Sequence, residues 1–283
     1  MSFSAEWLAL REPVDHRSRN ADVAEAVRRH FAGHGSVNVV DFGCGTGSNL
    51  RATFALLGDD QSWTLVDYDE TLLAEARKAL SRWADSSRAS DDRLMLQKSG
   101  ASIVVQFRRH DLNAELETTL SPTPDLVTAS ALFDLISERW IKDFARRLAE
   151  KRCAFYTVLT YDGRDEFAPA HPADDGVIAA FAVHQGGDKG FGPAAGPQGA
   201  DALARAFSAA GYRVEEGDSP WRLGAADAAL ARDLLKGVAS AVAETGRLAP
   251  PALKDWLDYR LARLRDAECL MLTGHRDTFA TPK

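Results

Sequence analysis

From residue 37 onward, short continuous apolar runs alternate with longer stretches in which apolar residues recur every three or four positions. The runs at 37–42, 63–67, 103–110, 125–129 and 154–160 have the length and bounding residues of strands buried on both faces. The intervening stretches, at 48–57, 71–83, 113–120 and 138–151, read as amphipathic helices. In the second of them Leu72, Leu73, Ala76, Leu80 and Trp83 fall on one face. This alternation predicts parallel strands joined by crossover helices. Farther on, 201–210 reads as a helix, 212–216 as a strand, 225–244 and 251–270 as two long helices, and 275–280 as a last extended piece. The expected fold is therefore α/β, a doubly wound, mostly parallel seven-stranded sheet with helices on both faces. Ahead of it, 7–11 and 21–31 read as helices separated by Pro13, a residue that ordinarily breaks a helix.

One segment departs from the pattern. Residues 161–198 are rich in Gly and Pro yet keep aromatic, histidine and charged residues, a mixture too varied for a linker, so a structured lid is expected. The organisation read from the chain is an N-terminal helical cap at 1–36, a core at 37–160, a lid insertion at 161–199, and a C-terminal part of the core with two added helices at 200–283. No repeat and no low-complexity tail is evident.

Charge and cysteine usage narrow the function classes. Of 283 residues, 34 are Lys or Arg and 41 are Asp or Glu, a net charge of −7 without a basic block, which disfavours long nucleic acid as a partner. Nowhere do about eighteen apolar residues run together, and the N-terminal stretch has charges and a proline where a secretory signal needs apolar residues. A cytoplasmic protein without a membrane segment is the expectation. Cys44, Cys153 and Cys269 have no CxxC spacing, so neither a disulfide framework nor a metal site is expected.

The chemistry concentrates in VVDFGCGTGSNL, 39–50. Gly43, Gly45 and Gly47 follow the first strand, at the carboxyl edge where open α/β sheets bind ligands. Glycine tolerates positive φ and, lacking Cβ, lets a ligand touch the main chain. A dinucleotide fingerprint, G-x-G-x-x-G, would need glycine at 48, where the chain has Ser48. The spacing D-x-G-x-G-x-G from Asp41 to Gly47 instead resembles the first motif of the class I, Rossmann-like S-adenosylmethionine-dependent methyltransferases. LVDYD at 65–69, HDL at 110–112 and PDLVTASALFDL at 124–135 match further elements of that family in order, covering about 37–160.

The resemblance implies S-adenosyl-L-methionine as methyl donor and S-adenosyl-L-homocysteine as product. It implies that Asp41, Gly43, Cys44, Gly45 and Gly47 form the donor loop, with Cys44 a small turn residue. It places Asp67 on the ribose hydroxyls, with Tyr68 beside it. A carboxylate suits a vicinal diol, because its two oxygens can accept two donors. Asp69, in contrast, reads as a helix N-cap. Asp111 and Leu112 would contact adenine, although Asp111 also reads as an N-cap. Ala129 and Ser130 would line the methyl-donor pocket. The family often uses an arginine ahead of the glycine strand for the methionine carboxylate, and of Arg11, Arg17 and Arg19 the reading favours Arg19.

Methyl transfer from a sulfonium needs alignment, a dry site and, for an oxygen or protonated nitrogen nucleophile, removal of a proton. His184 is the first candidate base and His171 the second, since histidine titrates near neutral pH; Asp134 could orient an amine or hydroxyl. Tyr161, Asp188, Lys189 and Phe191 are the candidate acceptor-binding residues of the lid. At 129–132 the chain reads Ala-Ser-Ala-Leu instead of the Asn/Asp-Pro-Pro-Tyr/Phe run of amino-methylating nucleic-acid enzymes. With the acidic charge, that points to a small-molecule acceptor and O- or N-methylation. The rival readings are a dinucleotide-dependent oxidoreductase and a non-catalytic S-adenosylmethionine-binding protein. The two long C-terminal helices could cover the acceptor site or form a homodimer surface.

Overall fold

In the computed structural model, residues 3–90, 92–266 and 268–283 are described. Two helices open the chain: α1 (Ala5–Ser18), capped by the Ser4 hydroxyl, and α2 (Ala21–Phe31), capped by Asn20. The core follows as β1 (Val37–Phe42), α3 (Ser48–Thr53), β2 (Asp60–Asp67), α4 (Glu70–Trp83), β3 (Ser86–Ser90), β4 (Arg93–Lys98), β5 (Ala101–Arg109), α5 (Leu112–Thr119), β6 (Leu126–Ser130), α6 (Glu138–Lys151) and β7 (Ala154–Ala168). Then come α7 (Asp174–Gln185), α8 (Gly199–Ala209), β8 (Tyr212–Asp218), β9 (Trp221–Leu223), α9 (Ala228–Thr245), α10 (Pro250–Arg263) and β10 (Leu270–Pro282).

All the strands belong to one sheet, ordered β3-β4-β5-β2-β1-β6-β7-β10-β8, with β9 paired to β10. The pairs β5·β2, β2·β1, β1·β6 and β6·β7 are parallel, whereas β10 runs antiparallel to β7, β8 and β9. The order reverses at β1, which lies between β2 and β6, and a crevice opens there at the carboxyl ends of the strands. Seven strands form the expected doubly wound sheet; β3, β4 and β9 extend it.

Strand alternation divides the core between the two faces. In β1, Val37 and Val39 belong to the same core layer as Phe31, Trp63 and Leu65, while Val40 and Phe42 point the other way, into the layer of Phe144, Phe155 and Phe207. In that second layer the Phe155 and Phe207 rings stack at 4.6 Å, and Phe144 meets each of them edge-on.

Four sequence expectations need revision. Pro13 lies inside α1 and does not end it. The helix interior ordinarily loses about 3 kcal/mol at proline, but the turn beyond Pro13 is held by tertiary contacts: Val14 is buried, and Asp15 accepts from Trp221 Nε1 at 3.0 Å. The hairpin β3–β4 was not anticipated, because Ser86–Ser90 is exposed throughout and carries no alternation. The helix read at 251–270 stops at Arg263, and β10 starts at Leu270 and runs 13 residues where a short piece was expected; residue 267 lies outside the described residues. Finally, β7 runs eight residues past Thr160 because β10 pairs with it as far as Ala168.

Asp277 of β10 is buried and ties the middle of β7 to the start of α2. Its carboxylate accepts from Leu159 N at 2.9 Å and Asn20 N at 2.8 Å. Leu159 has φ 57°, a left-handed conformation that costs a non-glycine residue about 1–2 kcal/mol; the charged acceptor offsets that cost.

Candidate functional site

The crevice at the strand-order reversal is floored by residues 43–47. Cys44 N donates to Val66 O at 3.0 Å and Gly47 N to Cys44 O at 2.8 Å, so the loop is fastened to the end of β2 and curls into α3. Gly45 has φ 52°, and a Cβ there would lie 2.9 Å from Leu8 Cδ1 of α1. A side chain there would displace Leu8 and adopt a left-handed backbone that only glycine takes without strain.

Asp67, the last residue of β2, is only 8% exposed. Its Oδ2 accepts from Gly45 N at 2.9 Å and its Oδ1 from Asp69 N at 3.0 Å. Burial raises its pKa, while these amide donors pull the other way. The Tyr68 amide also faces the group; a carboxylate offers about four acceptor sites, so capacity for a further hydrogen bond remains. Asp69 accepts from Thr71 N at 2.9 Å and caps α4. At the next strand end, Asp111 caps α5 through Asn113 N at 2.9 Å, and its own N–H donates to Glu115 Oε2 at 2.9 Å.

These elements surround an elongated cavity of about 770 Å³. Of the residues expected at the site, Gly43, Cys44, Gly45, Asp67 and Tyr68 line it, as do Asp111, Leu112 and Ser130; from the lid, Lys189 and Phe191 line it too. The remaining residues lie elsewhere. Arg19 is engaged behind α3, donating to Thr53 Oγ1 and Asn49 Oδ1 at 2.9 Å each. Asp41 is fully buried and accepts from Asn49 Nδ2 at 2.7 Å; burial lifts its pKa to about 7. Gly47 is the left-handed cap of α3, and Ala129 is buried within β6.

The lid residues separate into groups. His184 pairs with Glu244 of α9 at 3.1 Å and His171 with Asp255 of α10 at 3.2 Å, both away from the cavity lining. The Tyr161 hydroxyl donates to Asp165. Asp188 shapes a turn, its Oδ1 accepting from Gly190 N at 2.7 Å and Gly192 N at 3.1 Å. Asp134 is buried beneath the cavity wall formed by Leu132 and Leu135. Burial pushes its pKa up to about 6, and its Oδ1 has no hydrogen-bond partner among the described residues.

Two features of the site were not legible as such. Arg11, one of three arginines weighed from sequence, lines the cavity. Asp15 takes its Nε at 2.8 Å and Nη2 at 3.3 Å, and the guanidinium lies 4.9 Å from the Trp221 ring. The i, i+4 spacing of Arg11 and Asp15 was the available signal, masked by the break expected at Pro13. His275 of β10 lies behind this group with its ring 5.4 Å from Trp221; burial, with Arg11 and Arg164 nearby, pushes its pKa down to about 3. Its place in a long strand hid it.

Known structures share this architecture. The cyclopropane synthase MmaA2 from Mycobacterium tuberculosis is 11% identical, with 99% of this chain and 95% of that one covered and a TM-score of 0.51. A Bacillus halodurans protein whose methyltransferase activity is itself only proposed is 12% identical, with 93% and 100% covered and a TM-score of 0.50. The fold is theirs. No protein-family profile and no curated protein matches the sequence.

Proposed function

We propose that this protein is an S-adenosylmethionine-dependent methyltransferase acting on a small molecule. The observation that carries the reading is the pairing of Gly45 with Asp67 inside the cavity: a main-chain surface at φ 52°, where only glycine is unstrained, beside a buried carboxylate held by main-chain amides and with acceptor capacity left. That combination fits an adenosyl group, whose ribose presents a vicinal diol. Asp67 would hold the ribose, and Gly43 to Gly45 the chain leading from it to the sulfur. Arg11 takes the role expected of an N-terminal arginine. Asp15 occupies its Nε–Nη2 edge, and its Nη1 end remains for a carboxylate. Trp221 holds Asp15 in turn, so the guanidinium is oriented before any ligand arrives.

When bound, the donor supplies a methyl group on a sulfonium for in-line displacement. The chain contributes alignment and dryness. Leu8, Leu132 and Leu135 make that end of the cavity apolar, which favours loss of charge from sulfur over its solvation. Asp134, His171 and His184 are given no part in this scheme: Asp134 is buried behind Leu132 and Leu135, and the hydrogen bonds of His171 to Asp255 and of His184 to Glu244 hold both rings outside the lining.

Isothermal titration with S-adenosylhomocysteine tests the reading directly. Binding that is lost in Asp67→Ala supports it. Binding of NADH and not of S-adenosylhomocysteine would return the protein to the dinucleotide enzymes. Donor binding without label transfer to any component of a broad metabolite pool would make it a non-catalytic binder.

A further inference from the structure

The turn at 188–193 was expected to hold the acceptor, but it meets the helix that follows β5, whereas Arg11 stands against Trp221 of β9, on the other side of β1 in the strand order. Asn113, in the first turn of α5 and two residues from Asp111, donates its side-chain amide to Gly190 O at 2.6 Å. The turn is built to meet it: Asp188 accepts from the Gly190 and Gly192 amides, both glycines have positive φ, and Asp188 bridges to Pro193. Phe191 is fixed from below by Trp140 of α6, the rings meeting edge-on at 5.7 Å. Gly190 and Phe191 line the same cavity as Leu72, Leu112 and Asn113. Asp67 ends β2, which lies between β5 and β1 in the strand order; the lining beside β5 combines the apolar Leu72, Leu112 and Phe191 with the polar Asp111 and Asn113, groups suited to a flat heteroaromatic base.

We propose that the 188–193 turn is a donor-binding element: latched to α5 by Asn113, it closes the adenine end of the site and sets Phe191 against the base. The proposal rests on the functional reading above. It moves Phe191 and the turn from the acceptor to the donor and leaves the acceptor the end near Leu132, Leu135 and Arg11. An aromatic face against a base strengthens its binding by about tenfold or more, and the latch removes the entropy of ordering the turn on binding.

Two ligands separate the ends of the site. S-adenosylhomocysteine carries both adenosine and the amino acid; 5′-methylthioadenosine carries adenosine alone. In titrations of the full chain, Phe191→Ala is expected to weaken both ligands by about tenfold or more and by similar factors. Phe191→Tyr should restore both, and Asn113→Ala should weaken both less. Arg11→Gln should weaken only S-adenosylhomocysteine. Independently of any variant, 5′-methylthioadenosine should slow amide hydrogen exchange across 187–194 in the wild type. The assignment is overturned if Phe191→Ala, melting like the wild type, keeps both dissociation constants within twofold or loses only S-adenosylhomocysteine. Unchanged exchange at 187–194 with 5′-methylthioadenosine bound also overturns it. Should the wild type bind neither ligand, the methyltransferase reading fails and this assignment with it; binding of both with an indifferent Phe191 removes this assignment alone.

Discussion

Replacing Asp67 by asparagine keeps its size and changes its hydrogen-bonding. In the wild type both oxygens already accept a main-chain amide, from Gly45 at 2.9 Å and Asp69 at 3.0 Å, and the carboxylate keeps capacity to accept from a ribose hydroxyl. The asparagine NH₂ must face one of those two N–H groups, donor against donor. One hydroxyl thereby loses its acceptor, and the charge that strengthens the other bond disappears. A hydrogen bond to a charged group is worth about 1.5–3 kcal/mol, so S-adenosylhomocysteine should bind roughly 10- to 150-fold more weakly. Because burial raises the pKa of Asp67, protonation should weaken wild-type binding as the pH falls through that value, and the asparagine variant should lack this dependence. Titration calorimetry across pH 4 to 8 reads both effects, with thermal melts checking that the loop is intact. A variant that melts like the wild type and binds within twofold of it would refute the assignment of Asp67 to the ribose.

Other outcomes follow from the same coordinates. Gly45→Ala places a Cβ 2.9 Å from Leu8 Cδ1 at φ 52°; it should cost about 1–2 kcal/mol from backbone conformation alone, lower the melting temperature by a few degrees and remove donor binding. Asp41 has its folded pKa raised from 3.8 to about 7, so the folded state holds the proton longer than the unfolded chain, and the wild type loses stability from this group as pH rises from 4 to 7. Asp41→Asn should abolish that loss, gaining up to about 4 kcal/mol on the wild type between pH 4 and pH 8 in urea unfolding; a constant difference across that range would contradict it. Phe207→Ala empties a position walled by Phe144, Phe155 and Tyr212 and should cost about 3–5 kcal/mol, read as a lower urea midpoint.

The parts of this molecule that follow from periodicity were legible in its sequence. Val37 to Phe42 and 154–160 are largely apolar because both faces are covered, and three glycines after the first strand marked the loop that lines the cavity. Hairpin β3–β4 was invisible because exposed Ser86–Ser90 is held by pairing with β4 and not by burial. Long-range pairing also explains α1 and β10: the contacts of Val14 and Asp15 carry the helix past Pro13, and β10 is long because β7 is. Within the cavity, residues beside the glycine loop could be placed from spacing, since strand ends are fixed by the sheet. Residues 161–199 could not. Whether His184 faces a ligand or Glu244 depends on how α7 lies against α9, and no local pattern encodes that.

The position of β10 has a consequence for synthesis. It is made after β7 and β8, yet it is the partner that joins them, so β8 cannot enter the sheet until residues 270–282 have left the ribosome. Until then the open edge of β7 exposes unpaired main chain and the aromatic layer around Phe207 lacks its final cover. The nascent chain therefore passes through a long interval in which half of the sheet is competent to stick to other chains.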